Sequence, residues 1–214
     1  MDRKTKEAIR YLGYGKHKVE DRVLVQVREC FEELSRVMAK KSIYRTFDLE
    51  IKDHTIRIGT MEIKSRNLEK NLIGCESAVV FGATLGTGVD RLMHKYTLTD
   101  MSKAVILQAC AAADLEEYCD SCQDEIVAMM NKENKYVRPR FSPGYGDFDI
   151  RHQADMIRML ELPKTIGLTM TDSYMLTPVK SVTAVMGISS ENTPCHRQGC
   201  ESCQKKDCAY RRET

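Results

Sequence analysis

Arg138-Pro139-Arg140-Phe141-Ser142-Pro143-Gly144-Tyr145-Gly146-Asp147 is the stretch on which the fold and the function of this chain turn. It carries the chemistry of a rigid polar loop. Two guanidinium groups offer planar, permanently charged donors. Two prolines fix φ, and two glycines admit close backbone approach. Tyr145 offers a ring face and a hydroxyl. A second unusual run follows, Thr165-Ile-Gly-Leu-Thr-Met-Thr-Asp-Ser-Tyr-Met-Leu-Thr-Pro-Val-Lys-Ser-Val-Thr-Ala184. Its β-branched residues predict strands on either side of a polar turn.

Working outward, the periodicity alternates between helix and strand. Lys4–Ala39 reads as two helices separated at Tyr11-Leu-Gly-Tyr-Gly15, the second with Val23, Val27, Cys30, Phe31, Leu34 and Met38 on one stripe. Ile43–Ile51 and Thr55–Ile63 alternate apolar and polar residues around Asp53-His54, which predicts a hairpin. Ser65–Ile73 reads as a helix ended by Gly74. Ala78–Leu85 is an apolar run, hence a buried strand, and it feeds Gly86-Thr-Gly-Val-Asp90 and a further helix. Asp100–Met130 is a long helix with Ala104, Leu107, Cys110, Ala111, Asp114 and Leu115 on one face. Ile150–Leu160 is a short helix expected to end at Pro163. Thr165–Met170 and Lys180–Ile188 are further strand candidates.

The bulk numbers narrow the classes. At 214 residues the chain is long enough for one sizeable core plus a small appendix. Lys and Arg number 33 against 31 Asp and Glu, a net charge of +2, which does not favour nucleic acid or an anionic membrane surface as partner. No apolar stretch is long enough to span a bilayer, and no apolar core of a signal peptide follows Met1. A cytoplasmic protein is expected. In that compartment nine cysteines point to metal or redox chemistry rather than to disulfides.

The two quoted runs resemble the reactivation domain of cobalamin-dependent methionine synthase. The resemblance rests on Arg140-x-x-Pro143-Gly144-Tyr145, Thr171-Asp172-Ser173-Tyr174 and Pro178-x-x-Ser181-Val182, in that order. It runs from about Tyr11 to about Ser189. It implies an α+β fold, a bent, mainly antiparallel sheet with flanking helices in a C-shaped outline, over residues 1–190. A cysteine-rich tail, 191–214, then replaces the family's aromatic closing segment. The long enzymes carry homocysteine, folate and cobalamin modules ahead of this domain. None is recognisable here, so a free-standing reactivation domain is expected.

The resemblance also implies a ligand, S-adenosylmethionine. Arg140 would meet its methionyl carboxylate, and the backbone of Ser142, Pro143 and Gly144, with Tyr145, would hold the nucleoside. The family usually has alanine where this chain has Ser142. A glutamate on the preceding helix contacts the ligand's amino group in the family. Glu117 or Asp120 fits that description here, and a solvated acidic face fits it too. Asp172 offers a carboxylate for the sulfonium, or simply caps its own turn. The implied role is reductive methylation of cobalamin on a partner methionine synthase or corrinoid protein, with an electron from a donor such as flavodoxin or ferredoxin. A different class fits the same residues: a non-catalytic module that binds S-adenosylmethionine or a corrinoid protein and carries a structural zinc tail.

Two further patterns carry chemistry by themselves. Cys195-x4-Cys200-x2-Cys203-x4-Cys208 places four thiolates close enough to close around zinc or to hold a [4Fe–4S] cluster. Four unliganded thiols are the plainer alternative. Gly82-x3-Gly86-x-Gly88 fits neither the dinucleotide fingerprint nor the Walker loop; it resembles the same family's interior strand and turn, with Asp90 starting a helix, which implies glycines that serve packing or close approach of the corrin. Cys119-x-x-Cys122 reads as a buried helical pair.

Overall fold

In the computed structural model, which describes residues 1–14 and 17–192, the chain is α+β. Cys195, Cys200, Cys203 and Cys208 lie outside the described residues. Contacts within the chain cluster into two compact units. One takes in Met1–Ala39 and Leu85–Cys119; the other takes in Lys40–Thr84 and the described residues from Asp120 onward.

The second unit is built on a six-stranded antiparallel sheet. Its strands are β1 (Lys41–Lys52), β2 (Thr55–Ile58), β3 (Met61–Ile63), β4 (Ser77–Thr84), β5 (Tyr136–Val137) and β8 (Ser181–Ser189), in the order β3-β2-β1-β4-β8-β5. The expected hairpin at Asp53-His54 is present, with both residues at positive φ. Its second arm does not continue to Ile63. It breaks at Gly59-Thr60 and turns back as β3, which pairs Ile56 with Ile63. Gly59 has φ +54, and a Cβ there would lie 2.9 Å from Met159, so the extra turn needs glycine. β4 and β8 each lie between two other strands and are buried along almost their whole length. That is why Ala78–Leu85 reads as an unbroken apolar run instead of an alternation.

One core covers this sheet. Ile56, Ile58, Ile63, Ala78, Val80 and Val185 pack with Leu68 and Leu72 of α3 (Arg66–Leu72) and with Phe148, Met156, Leu160 and Leu162. The helix read at Ile150–Leu160 is a 3₁₀ turn, Ile150–His152, running into α6 (Gln153–Leu160). Glu161, at φ 51 in the left-handed region, ends it; Pro163 instead lies in the first turn of α7 (Leu162–Thr165). Proline suits that place because the first amides of a helix have no partner to lose. The strand expected over Thr165–Met170 therefore shrinks to β6 (Thr169–Met170), which pairs with β7 (Leu176–Thr177).

The first unit is helical: α1 (Arg3–Tyr11), α2 (Asp21–Val37), α4 (Thr87–Thr99) and the first part of α5 (Met101–Asn131). Val23, Val27, Cys30 and Leu34 of the predicted stripe on α2 are buried. All six residues predicted to share a face of α5 are buried, Asp114 included. Lys4 of α1 reaches that carboxylate at 3.0 Å, and its ammonium also lies 4.6 Å from the centre of the Phe31 ring. α4 begins at Thr87, capped by Gly86 at φ 85, and not at Asp90.

Candidate functional site

The Arg138–Asp147 loop is stitched to the sheet and to α3, both in the second unit. Arg138 N–H donates to the Gly187 carbonyl at 2.7 Å. Phe141 and Val185 exchange both backbone hydrogen bonds at 2.9 Å. The loop therefore extends the β5 edge past Pro139, whose missing N–H is tolerated at an edge. Beyond Phe141 the backbone closes on itself. Tyr145 N–H donates to Ser142 O at 3.3 Å, Phe148 N–H to Tyr145 O at 3.1 Å, and Gly144 N–H to Phe148 O at 2.7 Å. Gly144 and Gly146 have φ of 90° and 57°, conformations that make glycine the natural residue at both positions.

Asp147 ends the loop on the N-terminus of α3. Its carboxylate accepts from Ser65 Oγ at 2.5 Å, Arg66 N–H at 2.8 Å and Asn67 N–H at 3.1 Å. The Ser65 hydroxyl, itself buried, accepts from Leu68 N–H at 3.0 Å while donating to Asp147. The Ser65 hydrogen bond, then those from the Asn67 and Arg66 amides, hold the Asp147 carboxyl below its usual range. Underneath, Phe148 is buried, with the Phe141 ring 6.3 Å away and the His152 ring 5.6 Å away.

The candidate residues fall as follows. Arg140 is largely covered: Nη2 donates to Asp120 Oδ1 at 2.8 Å and Nη1 to Gln123 Oε1 at 2.9 Å. Asp120 and Gln123 lie in the last part of α5, within the same unit as the loop. Glu117 belongs to the other unit and pairs there with Lys4 at 3.6 Å. Of the two carboxylates raised by sequence, Asp120 is therefore the one beside Arg140. Pro143 is buried, Ser142 half-buried and Gly144 exposed. Tyr145 is 69% exposed, which leaves its ring and hydroxyl at the surface.

Asp172 is exposed in a self-contained turn. There Thr171 N–H donates to Met175 O at 2.8 Å, Tyr174 N–H donates to Thr171 O at 2.9 Å, and Tyr174 has φ 62. Gln153, buried on α6, donates to the Tyr174 carbonyl at 3.0 Å and ties this turn down.

Asp147, Ser65 and Gln123 are residues of the candidate site that sequence reading did not single out. In the glycine-rich run, a Cβ at Gly88 would lie 2.2 Å from Val37 O, and one at Gly82 would lie 2.9 Å from the Leu162 side chain. Packing accounts for both. Among the described residues, no group of three or more His, Cys, Asp or Glu is placed to hold a metal ion, and no helix is long and apolar enough to cross a membrane.

Sheet order, flanking helices and loop together define an α+β domain of the reactivation type. The fold is similar to the crystal structure of the MetH reactivation domain bound to AdoHcy, with a TM-score of 0.62 at 14% identity, covering 91% of this chain and 78% of that one. The chain belongs to the family of vitamin B12-dependent methionine synthase activation domains, whose model matches residues 69–213. That match takes in the whole loop and extends past Ser189 through the cysteine run. No curated protein matches.

Proposed function

We propose that this chain binds S-adenosylmethionine at the Arg140–Tyr145 loop and supports reactivation of a cobalamin-binding methionine synthase or corrinoid module by reductive methylation. The observation that carries the reading is family membership over residues 69–213, a span that contains the loop, the Thr171–Tyr174 turn and Pro178–Val182. The side chains present fit such a ligand. Arg140 and Asp120 stand side by side with opposite charges, complementary to the carboxylate and ammonium of an α-amino acid end. The Ser142–Gly144 backbone supplies polar groups for a nucleoside, and Tyr145 supplies an exposed ring towards the corrin. Asp172 stands at a solvent-facing turn where a sulfonium could be offset; Glu117, on the other unit, supports an amino-group contact less well than Asp120.

Cobalamin on the partner, once it has gained one electron from a flavodoxin- or ferredoxin-like donor, supplies the nucleophile; S-adenosylmethionine supplies the methyl and leaves as S-adenosylhomocysteine. The protein's part is positioning. Arg140 and Asp120 fix one end of the methyl donor, and the loop fixes the other. The same reading includes metal binding by Cys195, Cys200, Cys203 and Cys208, tested by zinc, iron and acid-labile sulfide content with and without the four cysteines. For the whole reading, a cobalamin-loaded corrinoid protein is reduced by a flavodoxin- or ferredoxin-like electron donor with S-adenosylmethionine and this chain present. Methylation of the cobalamin that depends on the chain, and is lost in Arg140→Ala, is expected. Methylation unaffected by adding the chain contradicts it.

A further inference from the structure

The turn that carries Tyr145 is tied to the first turn of α3 by one side chain outside the family-like motif. Tyr145 itself is no anchor, since it is 69% exposed. The fixed points at this end of the loop are Phe148, buried in the core at 1% exposure, and Asp147 beside it. The backbone hydrogen bonds between Ser142 and Phe148 are all internal to the turn, so beyond the buried Phe148 they leave it able to shift as a unit against α3. Asp147 removes that freedom by accepting three hydrogen bonds, at 2.5, 2.8 and 3.1 Å, from Ser65, Arg66 and Asn67, all far away in sequence. Two of these come from backbone amides that the helix cannot use itself. Gly146 lets the approach be this close: a Cβ there would stand 2.2 Å from Asn67 Nδ2 and 3.1 Å from Asn67 Cγ.

We infer that Asp147 is a positioning residue for S-adenosylmethionine: by docking on the first turn of α3 it holds the Ser142–Tyr145 backbone in the binding-competent shape before the ligand arrives. This rests on the functional reading above. A loop that is competent only part of the time weakens apparent affinity by the competent fraction. With Asp147 present the loop starts near full competence. With alanine there, the three donors turn to water, the loop opens, and affinity falls about tenfold. The amide of Asp147→Asn would retain one carbonyl acceptor for a backbone N–H but not the charge, so that variant falls between the two.

The test has two readouts on the full chain. Calorimetric titration with S-adenosylmethionine compares the unsubstituted protein, Asp147→Ala, Asp147→Asn and Ile106→Val, the last a core change in the helical unit that lowers stability. Amide hydrogen exchange of residues 142–148 is followed in the absence of ligand. The inference expects weaker binding and faster loop exchange in Asp147→Ala, smaller effects in Asp147→Asn, and neither in Ile106→Val. Equal affinity in Asp147→Ala overturns it, as does an unchanged exchange rate. If the unsubstituted chain does not bind, the functional reading fails and the ligand half of this inference fails with it. Loop exchange then decides separately whether Asp147 holds the loop.

Discussion

Gly88→Ala inverts an ordinary helix rule. An alanine in a helix is normally favoured over glycine by up to about 1 kcal/mol. Gly88 is the second residue of α4, and its helix packs on the end of α2. A Cβ there would lie 2.2 Å from Val37 O, 3.2 Å from Val37 C and 3.4 Å from Val37 Cβ. The nearest atom is backbone, so no rotamer relieves the contact; one helix has to retreat by about 1 Å. Overpacking of this kind costs roughly 3 kcal/mol at the upper end of its range. After the helix preference is returned, the net loss is about 2 kcal/mol. With a urea dependence of about 2 kcal/mol per molar, the unfolding midpoint drops by about 1 M. Far-ultraviolet circular dichroism in urea measures this. Gly74→Ala is the control, because Gly74 has φ +76 with nothing within 4 Å. It isolates backbone strain, of about 1 kcal/mol, from steric contact. A Gly88→Ala midpoint at or above that of the unsubstituted protein would refute the packing account and reopen a ligand role for this glycine run.

Other outcomes follow from the same structure. Gly146→Ala should weaken S-adenosylmethionine binding through the Asn67 contact, and adding Asn67→Ala should recover part of the loss, as a calorimetric double-mutant cycle would show; no recovery means φ alone decides. Glu33 accepts from Lys103 Nζ at 2.6 Å and Tyr96 OH at 2.7 Å, and the Lys103 bond chiefly holds its carboxyl below the ordinary value of 4.5. A depressed folded-state value contributes stability above about pH 4.5 that is lost as pH falls through the lower, folded one. Urea midpoints should therefore drop less between pH 6 and pH 3 in Glu33→Gln than in the unsubstituted chain, by about 1 kcal/mol of stability.

The elements set by local periodicity were legible in the sequence. α2 buries Val23, Val27, Cys30 and Leu34 as its stripe requires, and α5 runs almost where its apolar face places it. The antiparallel α+β class followed from the resemblance and holds. What failed was set by contacts distant in sequence. β3 exists because Gly59 turns against Met159 and Phe47, and the left-handed Glu161 ends α6 before Pro163. β5 and β7 are two residues each, too short for any period to register. At the site, motif residues named the loop, but the choice between Glu117 and Asp120 depends on which turn of a long helix faces Arg140. Periodicity alone leaves that phase open. Asp147 was quoted in the loop yet carried no signal, since its partners sit on α3 and the residue that caps it.

The proposed reactivation role depends first on S-adenosylmethionine binding at the Arg140–Tyr145 loop. Calorimetric titration of S-adenosylmethionine into the full chain is compared with Arg140→Ala and Asp120→Asn. Micromolar binding that Arg140→Ala loses and Asp120→Asn weakens is the predicted result, because in the proposed function the pair at 2.8 Å is to meet both charges of the amino acid end. Binding of the same strength in all three proteins would contradict it.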